Sequence, residues 1–171
     1  MLRPLRCLIC GETYLGSEAP DRCPYCGVEG RFLQDAAEYV DYNGMEMCEK
    51  SQEYIREAMK IEQSNVAFYK CAADRAKSKV VRAIFKRIGK HEAEHLELLA
   101  DHLGVDEPEI VREECNDDDA LNMKESHDRE DRAVKMYMRF AAEVPEPRIK
   151  QIFSAIAGIE QEHYKVFNVF R

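Results

Sequence analysis

Residues 84–99 read IFKRIGKHEAEHLELL, and residues 152–167 read IFSAIAGIEQEHYKVF. Both stretches space their apolar side chains three and four residues apart, which predicts amphipathic helices. Each stretch carries a Glu-x-x-His motif where that periodicity expects core residues. Because side chains at i and i+3 share one helical face, each helix is predicted to direct a carboxylate and an imidazole inwards together.

The two stretches belong to a longer internal repeat. Residues 62–99 align without a gap with residues 130–167, a shift of 68 positions. The repeat retains apolar core positions together with acidic, tyrosine and histidine side chains, among them the pairs Glu62/Glu130, Tyr69/Tyr137, Ile88/Ile156, Glu92/Glu160 and His95/His163. A repeat that preserves polar side chains on an inward stripe indicates a shared site.

Apolar spacing predicts four helices, at residues 51–77, 79–103, 120–143 and 148–170. The connections within the first pair and within the last pair are short, whereas a long acidic segment joins the two pairs. Hairpin, long crossover and hairpin is the order of ferritin-like bundles. We therefore predict a mainly all-α fold, with a ferritin-like four-helix domain at residues 51–171.

The first 34 residues have a different character. They hold two knuckles of the form Cys-x-x-Cys-Gly, which contribute Cys7, Cys10, Cys23 and Cys26. Four thiolates arranged in this way predict a tetrahedral site for iron or zinc, and the spacing leaves that choice open. Residues 1–34 are thus predicted to form a small metal domain, and residues 35–50 to form a linker.

Composition and charge exclude several classes of protein. The chain of 171 residues has a net charge of −8. Residues 101–119 alone carry nine acids against Arg112, so the remainder is near neutral and offers no basic face for nucleic acid. No apolar run is long enough to span a membrane. Residues 1–6 lack the apolar core of a signal peptide, which predicts a cytoplasmic protein.

The remaining cysteines are Cys48, Cys71 and Cys115. In a reducing compartment, closely spaced cysteines are more often metal ligands than disulfides. These three are not closely spaced, and they are predicted to be packing or surface thiols.

Carboxylates on the inward stripes predict a metal centre. Glu62 and Glu130 fall on the stripes of the first and third helices, facing the two Glu-x-x-His motifs. Buried carboxylates cost several kcal/mol each unless they are compensated, and no Lys or Arg lies on these stripes. Two cations would compensate them in the carboxylate-bridged di-iron arrangement. Iron is favoured over manganese, although ligand type alone does not decide. The predicted ligands are Glu62, Glu92, His95, Glu130, Glu160 and His163.

Other polar side chains lie near these ligands. Tyr69 and Tyr137 each follow a ligand Glu by two helical turns, and they are candidate catalytic residues that either hydrogen-bond a carboxylate or reach the end of the bundle. His127 precedes Glu130 by one turn and is a candidate second-sphere group or substitute ligand. His91 and His102 fall off the inward stripe and are predicted to be solvated.

These motifs resemble the rubrerythrin family. The segment CLICGETYLGSEAPDRCPYCG at residues 7–27 is similar to its rubredoxin-like domain, and the six predicted bundle ligands match its di-iron ligands. The metal domain precedes the bundle, as in the reverse rubrerythrin arrangement. The resemblance implies two iron ions in the bundle and an Fe(Cys)4 electron-transfer centre, or zinc in its place. It also implies reduction of hydrogen peroxide to water, an electron-donor protein, and a homodimer in which the cysteine centre of one subunit serves the other.

One departure keeps other functions open. The family usually carries an additional Glu three residues after the ligand on the third helix, where this chain has Ala133, and the repeat mate of that position is Asn65. An O2-consuming ferroxidase or oxidase is therefore an alternative. A non-enzymatic zinc-ribbon adaptor on a structural bundle is another.

Overall fold

The computed structural model describes residues 1–169. Four long helices form an antiparallel bundle, namely α1 (Glu49–Arg75), α2 (Lys79–Leu103), α3 (Asp119–Glu143) and α4 (Pro147–Val169). The predicted bounds agree with these to within two residues, because the apolar period is strong along all four helices. Phe170, the last residue of the predicted fourth helix, lies outside the described residues.

Local signals in the sequence end the helices where they do. The Ser78 side chain accepts a hydrogen bond from the backbone N–H of Val81 at the start of α2, and Asp118 caps α3 in the same way. Gly104 ends α2 in a left-handed conformation with φ of 70°, which glycine adopts without strain. Pro145 follows the end of α3.

The helices pair as two hairpins, since α1 packs chiefly against α2 and α3 chiefly against α4. The buried apolar side chains divide into two clusters along the bundle. One contains Phe85 and Phe167, and the other contains Leu99 and Phe153. The inward acidic side chains of α2 and α4 lie between the two clusters, which places the polar layer midway along the bundle.

The acidic crossover between α2 and α3 lies along α1. Gln63 donates a 2.5 Å hydrogen bond to the backbone carbonyl of Glu109, and Ser64 donates to the Glu113 carboxylate at 2.7 Å. Cys71 and Cys115 form a disulfide across this contact. The prediction that these two cysteines are isolated thiols is therefore wrong, because sequence spacing does not reveal that the crossover returns along α1. Cys48 is a free, exposed thiol.

The N-terminal segment forms a three-stranded antiparallel sheet in the order β2-β1-β3, with β1 at Arg3–Cys7, β2 at Thr13–Gly16 and β3 at Leu33–Asp35. Its buried side chains, including Ile9 and Val28, are continuous with the apolar cluster of the bundle. The small sheet domain is thereby packed directly onto the helices. Among residues 1–169, no helix has both the length and the apolarity that a membrane crossing requires.

Candidate metal centre

The six predicted bundle ligands converge in the core. Their donor atoms fall into two groups, each with all donors within 4.8 Å of one another. Both groups contain Glu92 and Glu160, so these two carboxylates lie between the two positions. The first group is completed by Glu62 and His95, and the second by Glu130 and His163. All six side chains are buried, and the four glutamates have no exposed surface.

Each imidazole faces the carboxylates through Nδ1. In His95, this atom lies 3.1 Å from Oε1 of Glu160 and 4.0 Å from Oε1 of Glu62. In His163, it lies 2.9 Å from Oε2 of Glu160 and 3.1 Å from Oε1 of Glu92. The two halves of the internal repeat therefore present equivalent donor sets from opposite hairpins.

The hydrogen bond on the far side of His95 fixes its tautomer. Nε2 of His95 lies 3.0 Å from the backbone carbonyl of Cys26. Because a carbonyl only accepts, Nε2 carries a proton, and in the neutral ring Nδ1 then presents a lone pair to Glu62 and Glu160. Two electron-rich groups facing each other in a dry core require a cation or a proton between them.

Unsatisfied atoms support a cation at this position. Among the described residues, the buried side-chain atoms without a hydrogen-bond partner include one oxygen of each of the four glutamates and Nδ1 of His95. Buried polar groups are normally satisfied, so five such atoms within the two donor groups indicate cations as their partners. Carboxylate oxygen and imidazole nitrogen suit divalent first-row metals, iron included. The donor set therefore fits a binuclear metal centre.

The electrostatics of the ion-free core lead to the same conclusion. Burial, and then the charges of Glu92 and Glu160, raise the pKa values of Glu62 and Glu130 well above their usual range. Burial disfavours the charged form of His163, but hydrogen bonds to the surrounding carboxylates raise its pKa well above the ordinary value. Without metal, the folded core therefore retains protons in the positions where a dication would otherwise neutralise the carboxylates.

The two predicted tyrosines cross between hairpins. Tyr69 on α1 donates a hydrogen bond to Glu130 on α3, and Tyr137 on α3 donates to Glu62 on α1. Both rings are fully buried. Burial and the neighbouring carboxylates raise the pKa of each phenol well above 10, so each hydroxyl retains its proton and acts as a donor.

The position of the family's additional Glu is occupied by a small apolar side chain. Ala133 is buried and contributes no ligand atom. Its repeat mate Asn65 donates from Nδ2 to Oε2 of Glu92 at 3.1 Å. His127 belongs to neither donor group. Its Nδ1 lies 3.3 Å from Asp128, and its ring packs on Tyr164 with centroids 4.2 Å apart.

The four knuckle cysteines form a second donor cluster, with all four sulfurs within 4.8 Å of one another. The backbone N–H groups of Gly11 and Gly27 donate to the carbonyls of Cys7 and Cys23 at 2.9 and 3.0 Å. Both glycines have positive φ, 79° and 78°, which the tight turn of each knuckle requires. A compact cluster of four thiol groups fits one tetrahedral ion.

The second knuckle touches the bundle directly above the polar layer. Besides the contact of Cys26 with His95, the Gly27 backbone comes so close to the bundle that a Cβ there would lie 2.8 Å from Ile159 and 2.9 Å from Nδ1 of His91. Arg87 donates to the Pro24 carbonyl at 3.4 Å. The cysteine cluster and the carboxylate centre of one chain are therefore joined by a single hydrogen bond, which sequence reasoning did not predict.

The prediction that His91 and His102 are solvated is wrong. Nδ1 of His91 lies 3.0 Å from Nε2 of His163, and burial and the nearby histidines lower the pKa of His91 to about 3. His102 is 3% exposed and lies 3.2 Å from the guanidinium of Arg148. The buried stripe of a bundle helix is wider than one row of side chains, and the N-terminal domain covers part of α2.

A sequence model of rubrerythrin matches residues 53–169, and a model of the rubrerythrin rubredoxin-like domain matches residues 6–32. The chain belongs to the rubrerythrin family. The rubredoxin-like match precedes the rubrerythrin match, which confirms the predicted reverse rubrerythrin-like order.

Individual relatives agree with this family membership. Reverse rubrerythrin-1 from Clostridium acetobutylicum is 29% identical over 114 residues, and the match covers 60% of this chain and 63% of that protein. The chain therefore spans less than two thirds of that relative.

The ferritin-like bundle is also found in solved structures. A protein from Anabaena variabilis with DJ-1/ThiJ/PfpI-like and ferritin-like domains matches with a TM-score of 0.66 and 12% identity, over 72% of this chain and 40% of that one. A hypothetical protein from Pyrococcus furiosus matches with a TM-score of 0.59 and 19% identity, over 70% of this chain and 86% of that one. At these identities the likeness concerns the fold, and it confirms the ferritin-like prediction.

Proposed function

We propose that this rubrerythrin-family protein is a non-haem di-iron peroxide reductase. In this proposal, hydrogen peroxide, two electrons and two protons give two molecules of water, and the electrons arrive through an Fe(Cys)4 centre. The observation that carries the proposal is the hydrogen bond between the Cys26 carbonyl and Nε2 of His95, because it links the cysteine cluster to the carboxylate centre within one chain. The activity is a peroxidase-type oxidoreduction suited to defence against oxidative stress.

The residues divide into two ion positions. We assign Glu62 and His95 to one ion and Glu130 and His163 to the other, with Glu92 and Glu160 shared between them, in accordance with the two donor groups. A pair of ferrous ions bound there would supply the two electrons that cleave the O–O bond. The cysteine-bound iron would replace those electrons one at a time.

The protein contributes orientation and protons. The phenol hydroxyls of Tyr69 and Tyr137 hold Glu130 and Glu62 against rotation, and they keep protons beside the reacting centre. His91 and the Cys26 carbonyl hold the two imidazoles with Nδ1 directed inwards. This preorganised set reduces the reorganisation that the bound oxidant would otherwise require.

Electron transfer is proposed to stay within the chain. The second-knuckle backbone carries both the Cys26 sulfur and the carbonyl that accepts from His95. A complementation experiment tests this route. Cys10→Ser removes the cysteine centre from one protein, and Glu130→Ala removes a bundle ligand from another. If transfer is intrachain, mixing the two variants leaves peroxide turnover near background, whereas transfer between the subunits of the expected homodimer would restore it.

A mixing experiment tests the activity itself. Anaerobically reduced, iron-loaded protein is mixed with hydrogen peroxide in a stopped-flow spectrometer. We expect ferric absorption to develop within seconds and water to be the product. Iron that stays ferrous over minutes would refute the reductase. A colourless purified protein with zinc at the four cysteines would instead favour the adaptor.

Ala133 is the observation that favours an O2-consuming ferroxidase or oxidase as the second candidate, since it removes a carboxylate expected in a peroxidase of this family. Oxidation rates with O2 and with peroxide, measured on the same reduced protein, discriminate the two. The reductase requires the rate with peroxide to be the higher.

We propose the cytoplasm as the site of this reaction, because the four knuckle cysteines form a donor cluster for metal rather than disulfides, as is usual in a reducing compartment. The Cys71–Cys115 disulfide is unusual for that compartment. Its redox state in protein isolated under thiol-blocking conditions tests the location.

A further inference from the structure

A cleft between α1 and α3 leads from the surface to the carboxylate layer. The cavity has a volume of about 530 Å³, and its lining includes Asn65 and Ala133. These residues lie one helical turn beyond Glu62 and Glu130 on the same faces. Both are buried, and Asn65 donates to Glu92. The inner end of the cleft is therefore one side chain away from a carboxylate shared by both ion positions.

The cleft is much larger than hydrogen peroxide needs. A water molecule occupies about 30 Å³ in the liquid, so a peroxide molecule needs roughly twice that volume. Cavities of about 300–1,000 Å³ are typical of sites for small organic molecules. The small side chain of Ala133 and the weak packing of α1 against α3 leave this space open.

The walls of the cleft have two chemical characters. Ile61, Ala133 and Met136 provide apolar surface, while Arg132 and Lys135 provide cations. The side chains of Arg132 and Lys135 are 65% and 73% exposed, which places them at the mouth. Apolar surface on the walls, beside two exposed cations, suits a ligand with an apolar body and an anionic end.

The two mouth cations are free to change partners. The Arg132 guanidinium lies 3.8 Å from the Glu125 carboxylate, and the Lys135 ammonium lies 2.5 Å from the Asp131 carboxylate. All four residues are on α3. Exposed pairs of this kind contribute little stability, so an incoming carboxylate can replace them. Of the other basic side chains of the lining, Arg129 is more firmly held, since it pairs with Glu113 and Glu125. Arg139 pairs at 3.3 Å with Glu57, which also lines the cleft.

We propose that this cleft binds an amphipathic carboxylate and that medium-chain fatty-acid hydroperoxides are substrates of the centre beneath it. The carboxylate would lie at Arg132 and Lys135, with the chain along Ile61 and Met136. The reaction takes ROOH, two electrons and two protons to ROH and water. The O–O bond breaks, and the electrons come from the reduced iron sites. The assignment of these hydroperoxides as substrates therefore rests on the proposed function.

Binding is measured first, without any redox chemistry. The full-length, iron-loaded protein is titrated calorimetrically with decanoate, which lacks a peroxide. We expect saturable binding, weakened about tenfold by Lys135→Glu, a loss of about 1.4 kcal/mol. Lys150→Glu is the matched control, because Lys150 is an exposed lysine on α4 outside the cleft. Met136→Trp, which fills the cavity from its wall, should abolish binding.

The outcomes separate the cleft from the proposed function. Absence of saturable heat, or equal loss of affinity in Lys135→Glu and Lys150→Glu, would overturn the cleft as an anion site even if hydrogen peroxide is reduced. Decanoate binding with the expected variant pattern, but no reduction of any peroxide, would retain the site and refute the reductase. Decanoate should also inhibit consumption of a fatty-acid hydroperoxide more strongly than consumption of hydrogen peroxide, and equal inhibition would contradict the substrate assignment.

Discussion

The hydroxyl of Tyr69 on α1 donates its hydrogen bond to Glu130 on α3, in the opposite hairpin. The repeat mates make the reciprocal contact, from Tyr137 to Glu62. Each hairpin therefore holds a carboxylate of the other, and the two hairpins cannot separate without breaking both contacts.

Tyr69→Phe should leave the fold intact but loosen Glu130. Removing the donor leaves a buried carboxylate oxygen unpaired, which costs about 1–3 kcal/mol. We expect a lower melting temperature in the loaded protein and slower peroxide turnover. The matched control is Tyr54→Phe, since Tyr54 also donates to a glutamate, Glu143, but at an exposed site. Equal effects of the two substitutions would show that Tyr69 has only a general structural role.

His91→Ala should weaken one ion position selectively. His91 contacts the outer nitrogen of His163, whereas the outer nitrogen of His95 contacts a backbone carbonyl that substitution does not remove. Loss of such a supporting hydrogen bond typically costs about 10–100-fold in metal affinity. A metal titration of the ion-free protein should become biphasic, with one ion bound as in wild type. His102→Ala, another histidine on α2 away from the centre, should leave both phases unchanged.

Gly27→Ala should disconnect the two metal sites. A Cβ at this position would overlap Ile159 and His91, and the backbone φ of 78° is unfavourable for alanine. We expect both sites to bind metal but the cysteine-bound iron to be oxidised much more slowly after peroxide addition, as followed by its visible absorption. Gly158→Ala is the control, because a Cβ there would meet nothing within 4 Å. Unchanged transfer in Gly27→Ala would contradict the route through Cys26.

Removal of metal should make stability fall as pH rises. The folded, ion-free chain raises the pKa values of Glu62, Glu130 and His163. A group with a raised folded pKa stabilises the fold fully below its unfolded pKa, about 4.3 for Glu and 6.5 for His, and loses that contribution as pH rises through the folded value. Burial tends to raise the pKa of Glu160, but the hydrogen bond from His163 and the nearby His95 ring outweigh burial and lower the pKa. Its contribution is therefore lost only under acid conditions.

Chelator-treated protein should melt at a lower temperature at pH 8 than at pH 6, and the loaded protein should show a smaller difference. A flat profile for the chelated protein would contradict the proton-filled core.

Reduction of the Cys71–Cys115 disulfide should destabilise the bundle. The bond closes a loop with a sequence separation of 44, for which chain entropy gives about 4 kcal/mol. We expect Cys71→Ser to unfold at lower denaturant concentration than wild type under oxidising conditions and at the same concentration under reducing conditions. Cys48→Ser should match wild type in both. Identical wild-type midpoints with and without reductant would contradict a stabilising bond.

Sequence periodicity predicted the helices and the placement of the inward donors, because both depend on spacing along one helix. Glu92 and His95 are adjacent on a turn, and their repeat mates carry the same constraint. Whether Tyr69 would hydrogen-bond a carboxylate or reach the bundle end depends on its position relative to α3, which spacing leaves open. The structure supplies that position.

Periodicity along one helix does not predict contacts between segments that are distant along the chain. Cys26 contacts the centre only because the N-terminal domain packs on the bundle, and His91 contacts it only because α2 lies beside α4. Cys115 meets Cys71 only because the crossover lies along α1. No period in the sequence encodes these placements, and all of them arise from packing between segments distant along the chain.

The N-terminal domain makes the two halves of the internal repeat unequal, because its Cys26 carbonyl contacts only one of the two ligand histidines. The outer nitrogen of His95 donates a hydrogen bond to the Cys26 carbonyl, whereas the outer nitrogen of its repeat mate His163 contacts the His91 ring. The two halves of the duplicated bundle therefore differ in their contacts with the N-terminal domain. In the proposed function, electrons from the cysteine centre would reach the His95 side first. The asymmetry between the two ligand histidines therefore comes from the N-terminal domain, because the duplicated bundle itself is nearly symmetric.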